Sequence, residues 1–417
     1  MRHRSLSTPF AVARAPGHRA VWVVVALAVV TQLVVLARIR LASVNSVGGD
    51  LCQDIASIHR ALRGQNPYGV LSECGVLSYS PHPPVSLLVM FPFAWLPPAP
   101  AGLLWDLVGL GMVALSVALI VAELRVALRP ARLALMLGLL IFWPPLLDTL
   151  LEAQMSTALL LLLTLAWLWR RRDLPELAGA ALGLAAALRL FPALAALYLL
   201  LRRDWRTLKG MVASFLAASA LALLLVGPTG SLSFLFTATP RVSATWGHSA
   251  HNISLWGLAD HLAPRWAAGG VGFALVAVYL GLLVARAWRR RALSARADEA
   301  TFLLCYPAML LVSPLGWQYY FLALLAPILL IAREVGGLGR PAAAVFTPRV
   351  KLFTEVLLGV FLAAPWLYKL PMLGTQSGTI PLALTIPTLA LLALSLALAW
   401  LPSCDEMRAV KSVPEPR

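Results

Sequence analysis

The sequence predicts an all-α protein embedded in a membrane as a polytopic helical bundle, and three observations carry that expectation. Hydrophobic residues make up 60% of the chain and charged ones 12%, against roughly 45–50% and about 25% in soluble domains. Apolar runs of lipid-crossing length recur from Val21 to Trp400, so no separate soluble domain has room to exist. The basic residues behind a net charge of +16 sit in short clusters beside those runs, which assigns them to membrane orientation and not to nucleic acid. Residues 1–401 therefore read as one transmembrane domain, with 402–417 a short polar cytoplasmic tail expected to be disordered.

Taken in order, spans are expected at 20–38, 100–123, 132–149, 154–169, 208–227, 268–287, 300–314, 318–333, 352–368 and 380–401. Arg2, Arg4, Arg14 and Arg19 precede the first apolar run, which is too long for a signal-peptide core of about 7–15 residues and has no clear small-residue cleavage site, so it reads as a retained span. The stretch 176–201 is flanked by Arg170–Arg172 on one side and by Arg202, Arg203, Arg206 and Lys209 on the other, so both its ends want the cytoplasm. One crossing cannot satisfy that. Two short helices with a break around Arg189 to Pro192 can, because Pro192 lacks an N–H and disfavours helical geometry just before itself.

The bundle is expected to have about 10–12 crossings, twelve with that hairpin, and 26 of the 34 Lys and Arg then fall on one side of it. The asymmetry predicts both termini in the cytoplasm and the loop 39–98 outside. Trp95, Trp105, Trp143, Trp205, Trp246, Trp266, Trp288, Trp317 and Trp400 lie near span ends, as an interfacial belt requires. The Pro-bounded apolar segment from Pro83 to Pro97 is too short to cross and is expected to be re-entrant or interfacial on the outer side. Cys52 and Cys74 share the outer loop, where a disulfide is allowed but not fixed by anything in the sequence. Zinc-ligand spacing is missing, and no metal is expected.

The chemistry is expected in the stretch from Gly48 to Pro84. Leu51, Ile55, Ile58 and Leu62 fall on one stripe of a short amphipathic helix, with Asp50 and Asp54 one turn apart on a shared polar face. Gly64 offers the left-handed helix end and Pro67 forbids continuation. The helix is expected to lie on the membrane surface with its stripe down and its two carboxylates just above the lipid. There Asp50, backed by Asp54, could take a proton from an acceptor hydroxyl, its pKa raised by the low-dielectric setting; the alternative is that Asp50 is only the helix N-cap.

Arg189 sits at the outer turn of the hairpin, where a guanidinium can grip a phosphate or merely snorkel to headgroups. Glu152, Gln154 and Asp148 gather at an outer span end, as cleft lining or as polar turn residues. His248, His251 and Asn252 form a polar cluster in a long outer loop. Around Ser313-Pro314-Leu315-Gly316-Trp317-Gln318-Tyr319-Tyr320 the turn residues are followed by aromatics that can stack on a sugar face or anchor the interface. Gly179, Gly183 and Ala187 form a small-residue stripe read as close helix packing. The apolar runs are almost free of ionisable groups, which disfavours an ion-coupled transporter.

Together these segments resemble glycosyltransferase family 87, polytopic enzymes of the GT-C type that use polyprenyl-phosphate sugars. Asp50 ahead of Gly64, Asn66, Pro67 and Tyr68 is similar to the family's Asp followed by a short helix and Gly-x-x-Pro-Tyr; Tyr79, Pro83 and Pro84 look like its Tyr-Pro-Pro, with an insertion around Ser80 to His82. Ala153-Gln154 resembles its Gly-Gln, and Leu177 to Trp205 its Ala-Gly, Lys-x-x-Pro and Arg-rich run, with Arg189 in place of the usual Lys. Asn252, Ser254 and Leu255 resemble Asn-x-Ser-Leu, and Ser313, Pro314 and Trp317 resemble Ser-Pro-x-x-Trp, though Gln318, Tyr319 and Tyr320 stand where many relatives carry histidine.

The resemblance implies a GT-C-like hexosyltransferase of the multi-pass bacterial cytoplasmic membrane, mannosyltransferase-like, acting at the extracytoplasmic face. It implies Asp50 and Asp54 as catalytic, Arg189 and Tyr79 at the donor phosphate and lipid, and Gln154, His251, Asn252, Trp317 and Tyr319 at the substrate. The donor would be a polyprenyl-phosphate sugar, the acceptor a lipid-linked or cell-envelope glycan, with no cofactor and no nucleic acid. The competing expectation is a transporter or flippase of a lipid-linked sugar.

Overall fold

The computed structural model describes residues 49–71, 79–126, 130–249, 251–289, 295–335, 348–369 and 381–400, with scattered residues of 23–37. The expected first span at 20–38, Cys74 and the tail therefore lie wholly or largely outside the described residues. Every element described is helical. Among the described residues, three helices are long and apolar enough to cross a membrane on their own: Pro98–Leu124, Trp205–Trp246 and Arg265–Trp288. Shorter apolar helices accompany them, among them Pro175–Leu188 and Phe191–Arg202.

Prolines set where the expected spans break. The stretch 132–149 is not one crossing: helix Pro130–Ile141 stops, Trp143 turns extended ahead of Pro144 (φ −69°, ψ 125°), and Pro144–Leu151 starts afresh. The stretch 318–333 runs as a 3₁₀ segment, Gln318–Leu324, that passes directly into helix Leu325–Glu334. The span expected to end at Gly227 continues to Trp246. Gly227 takes φ 68° and ψ 170°, a conformation open to glycine, and Pro228 follows, so the helix bends there. The bent portion passes through a π-helical turn, Phe234–Ala238, before Thr239–Trp246. What the sequence placed in a loop is thus partly helix, carried across the site described below.

The 176–201 hairpin forms at the expected place. Helix Pro175–Leu188 ends where Arg189 turns extended (φ −147°, ψ 131°), and a 3₁₀ turn Phe191–Leu194 leads into helix Ala195–Arg202. Leu188 O would have been met by the N–H of residue 192; that residue is proline, and the Ser86 hydroxyl donates to Leu188 O instead at 2.8 Å. At the far end Arg170 pairs with Asp204 and Asp298 at 2.6 Å each, Arg202 with Asp298 at 2.8 Å, and Arg171 with Glu123 and Glu299. The hairpin's two ends therefore meet in one ion-paired cluster, while Arg189 stands about 20 Å away along a helix of 14 residues.

Close packing holds the hairpin to the long bent helix. Gly179 lies against the backbone of Thr207 and Met211, Gly183 against Met211 and Ser214, and Gly210 against Glu176, so a Cβ at any of them would strike backbone. The Pro84–Met90 helix and the 3₁₀ turn Phe91–Trp95 form the short element expected between Pro83 and Pro97. His59 Nε2 meets Ala94 O at 2.9 Å and ties that element to the Gly49–Leu62 helix.

Candidate functional site

The Gly49–Leu62 helix carries the first acids. It closes in a Schellman turn: Gly64 N–H donates to Ala61 O, Gln65 N–H to Arg60 O, and Gly64 has φ 69°. Leu51 and Ile58 are fully buried, but Leu62 is 46% exposed. The polar face is not laid open above lipid as the amphipathic pattern suggested, because Asp54 is only 1% exposed. A proline-flanked loop covers it. Tyr68 OH donates to His82 O at 3.0 Å, and His82 N–H reaches Ser80 Oγ at 3.4 Å, fixing His82 between Pro81 and Pro83. Its ring bridges the two acids, with Nδ1 2.6 Å from Asp54 Oδ1 and Nε2 2.9 Å from Asp50 Oδ2.

Gln154 and Arg189 complete this centre from two other elements. The Pro144–Leu151 helix ends and Ala153 takes φ 52°, a left-handed turn that costs an alanine about 1 kcal/mol. That turn drops Gln154 inward, 2% exposed, where its Nε2 donates to Asp50 Oδ2 and its Oε1 accepts from Arg189 Nη2 at 2.8 Å. Arg189 Nη2 lies 3.9 Å from Asp50 Oδ2, and its guanidinium sits 5.9 Å from the Tyr320 ring centre. Arg189 Nε is buried without a protein partner.

These groups open onto one cavity of about 720 Å³. Leu190, Phe191, Leu194, Phe234, Met309 and Val312 supply apolar lining, and Asp148, Glu152 and an aromatic ledge line it as well. In that ledge Trp317 stacks between His251 at 6.0 Å and Tyr319 at 6.2 Å, with Trp246 edge-on at 5.9 Å. Gln318 donates its amide to Asp148 Oδ2, while its Oε1 is buried and unpartnered.

The electrostatics differ from the sequence expectation. Burial pushes the Asp50 carboxyl up, but the charge and hydrogen bond of His82, then Arg189 and Gln154, outweigh it, and Asp50 is held below its ordinary value. Burial and the Arg189 charge push the His82 imidazole down; Asp54 and Asp50 more than offset them, and His82 is held above its ordinary value.

Of the residues singled out in the sequence, Asp50, Tyr79, Gln154, Arg189, His251, Trp317 and Tyr319 line the cavity. Asp54 does not; it stands behind His82. Asn252 is also displaced from the expected substrate contact. It is 1% exposed, its Nδ2 donates to Gly247 O and Pro314 O at 2.9 Å each, and its Oδ1 accepts from Gly316 N–H and Ser254 N–H at 3.0 and 3.2 Å. A side-chain amide used up in this way ties two loops together. His248 meets Asp260 Oδ2 at 2.9 Å, and the described residues hold no cluster suited to a metal. Asp148 and Glu152, for which cleft lining and a polar turn both stood open, line the cavity. Cys52 is disulfide-bonded.

The sequence missed His82 altogether. Its only signal there was a histidine between two prolines in the loop that also carries Asp50, read as an insertion.

Comparison with known proteins follows the same outline. Residues 81–314 match the sequence profile described as glycosyltransferase family 87. A curated relative from Mycobacterium tuberculosis (strain ATCC 25618 / H37Rv), named polyprenol-phosphate-mannose-dependent alpha-(1-2)-phosphatidylinositol mannoside mannosyltransferase, is 31% identical over 283 residues, which is 62% of this chain. The chain spans 64% of that relative's length. Among solved structures, ArnT from Cupriavidus metallidurans bound to undecaprenyl phosphate is 16% identical, covering 92% of this chain and 77% of ArnT at a TM-score of 0.36. The apo state is 14% identical with the same coverage and a TM-score of 0.34. Scores that low give neither overlay any bearing on the site.

Proposed function

Because the chain belongs to glycosyltransferase family 87, we propose that it moves a hexose, mannose in the first instance, from a polyprenyl-phosphate donor to a hydroxyl of a lipid-linked or cell-envelope glycan. The observation that carries the reading is the meeting of Asp50, Gln154 and Arg189 at one cavity, with Asp50 and Arg189 3.9 Å apart. An acid that can accept a proton and a cation that can hold a phosphate are what a single displacement needs.

In this reading Arg189 receives the donor phosphate, using the fork atoms that Gln154 leaves unoccupied. The prenyl chain follows the wall of Leu190, Phe191, Leu194 and Met309, with Tyr79 at its edge. Trp317 and Tyr319 stack on sugar faces, with His251 at the rim. The acceptor O–H bond breaks toward the Asp50 carboxylate as the new bond to the sugar carbon forms. The sugar–phosphate bond breaks on the opposite side, its electron pair leaves with the polyprenyl phosphate, and the configuration inverts. The leaving phosphate carries its own charge, so the scheme draws on no cofactor. In the same reading the cavity faces the extracytoplasmic side and the ion-paired cluster at Arg170 the cytoplasmic side, a placement that the clustering of Lys and Arg beside the apolar runs supports.

The test is purified protein incubated with polyprenyl-phosphate-mannose, other polyprenyl-phosphate hexoses and a membrane lipid extract, with products read by mass spectrometry. A glycolipid heavier by one hexose, formed in step with released polyprenyl phosphate, is the expected result. Donor lipid moved across vesicles without release would make the protein a flippase instead.

A further inference from the structure

The Asp54–His82–Asp50 bridge joins three side chains that the reaction scheme above uses only in part. Both ring nitrogens of His82 lie within hydrogen-bonding distance of carboxylate oxygens, 2.6 Å on the Nδ1 side and 2.9 Å on the Nε2 side. An ionised carboxylate only accepts, so satisfying both contacts with both acids ionised requires a proton on each ring nitrogen. The His82 side chain is 2% exposed and that of Asp54 1%, whereas that of Asp50 keeps 19% of its surface at the cavity. Asp50 and His82 both border the cavity, and Asp50 is the member of the unit with appreciable side-chain surface there. The bonds from His82 and Gln154 both converge on Oδ2 of Asp50. That leaves Oδ1 as the oxygen on which an incoming proton can land.

We propose that His82 is a positioning residue for Asp50: a buried imidazolium, clamped by Asp54, that aims the Asp50 carboxylate and keeps it ionised, so that the pH window of transfer belongs to the three-residue unit. This rests on the reading of Asp50 as the proton acceptor. Every charged group facing the ring takes part. Asp50 and Asp54 come from the Gly49–Leu62 helix and favour the cation; Arg189 comes from the hairpin tip and opposes it; the Tyr68 hydroxyl meets the His82 carbonyl and holds the loop. During transfer the proton leaves the acceptor oxygen for Asp50 Oδ1 and then passes to water, while His82 keeps both of its protons throughout. Two carboxylates one helical turn apart would otherwise repel, and one would take up a proton at the expense of the base. The cation between them removes that conflict.

The experiment uses the full chain in detergent or lipid with polyprenyl-phosphate-mannose and the lipid extract as probe, together with ¹⁵N-histidine magnetic resonance of the same protein. In His82→Gln the acid limb of the kcat profile should move to higher pH by about one to three units, the shift expected when an opposite charge at this distance is removed. The donor KM should stay within about twofold. Asp54→Asn should move the limb in the same direction by a smaller amount. In the wild type the signals that vanish in His82→Gln, or shift in Asp54→Asn, should show both ring nitrogens protonated at pH 7. A neutral ring with one bare nitrogen there, or an acid limb unmoved in His82→Gln, would overturn the proposal. The resonance measurement needs no turnover, so it still decides the charge of His82 if the wild type transfers nothing and the functional reading itself fails.

Discussion

Arg189 is where removal of one side chain should separate donor binding from everything else. The side chain is 7% exposed, bonded to Gln154 Oε1 through Nη2, and set against the Tyr320 ring. A charge-assisted hydrogen bond to a phosphate contributes about 1.5–3 kcal/mol. At 1.4 kcal/mol per decade, losing a paired contact worth about 3 kcal/mol raises the donor requirement roughly 100-fold. Arg189→Ala should therefore raise the donor KM by about two orders of magnitude. Arg189→Lys keeps the charge and loses the fork, and should cost about tenfold. Arg189→Ala should also move the acid limb of the kcat profile upward, because the Arg189 charge helps hold Asp50 below its ordinary value, whereas Arg189→Lys, which keeps the charge, should leave the limb close to that of the wild type. The assay is an initial-rate titration of polyprenyl-phosphate-mannose at saturating acceptor, with unfolding temperature as the check on integrity. A donor titration for Arg189→Ala that overlays the wild type would refute the assignment of Arg189 to the phosphate.

Two further predictions concern packing. Gly183→Ala puts a Cβ against the Met211 backbone and Ser214, and should destabilise by about 1–3 kcal/mol, read as a lowered unfolding temperature with the donor KM unchanged. Asn252→Ala leaves the buried Ser254 and Gly316 N–H groups without their side-chain partner, each costing about 1–3 kcal/mol, and unties the Gly247 and Pro314 carbonyls, so stability should fall. An Asn252→Ala protein as stable as the wild type but with a weakened acceptor would return that residue to the substrate.

How much of this was legible in the sequence varied with the physics involved. The Arg189–Pro192 break was readable because it depends on one missing N–H and on charges at both hairpin ends, all local. The small-residue stripe at Gly179 and Gly183 was readable for a similar reason: little but a close helix partner explains it. The site was half legible. Asp50, Gln154 and Arg189 each stood out, but from separate segments, and nothing local says that the turn at Ala153 aims Gln154 between the other two. His82 was missed because its role comes from a contact across 28 positions to Asp54 and 32 to Asp50. Missing it also reversed the expected direction at Asp50, since burial alone raises a carboxyl and the hidden cation lowers it. The expected span at 132–149 was overestimated because hydropathy reports apolar length and not backbone continuity.

The most direct measurement compares wild type with Asp50→Asn, a change of one atom at the cavity, in hexose transfer from polyprenyl-phosphate-mannose to the lipid extract. Unfolding temperature and donor binding are read on the same preparations. The account predicts that transfer falls at least 100-fold while the variant stays folded and still binds donor, the loss expected for a general base. Transfer at the wild-type rate by a folded Asp50→Asn protein would contradict it.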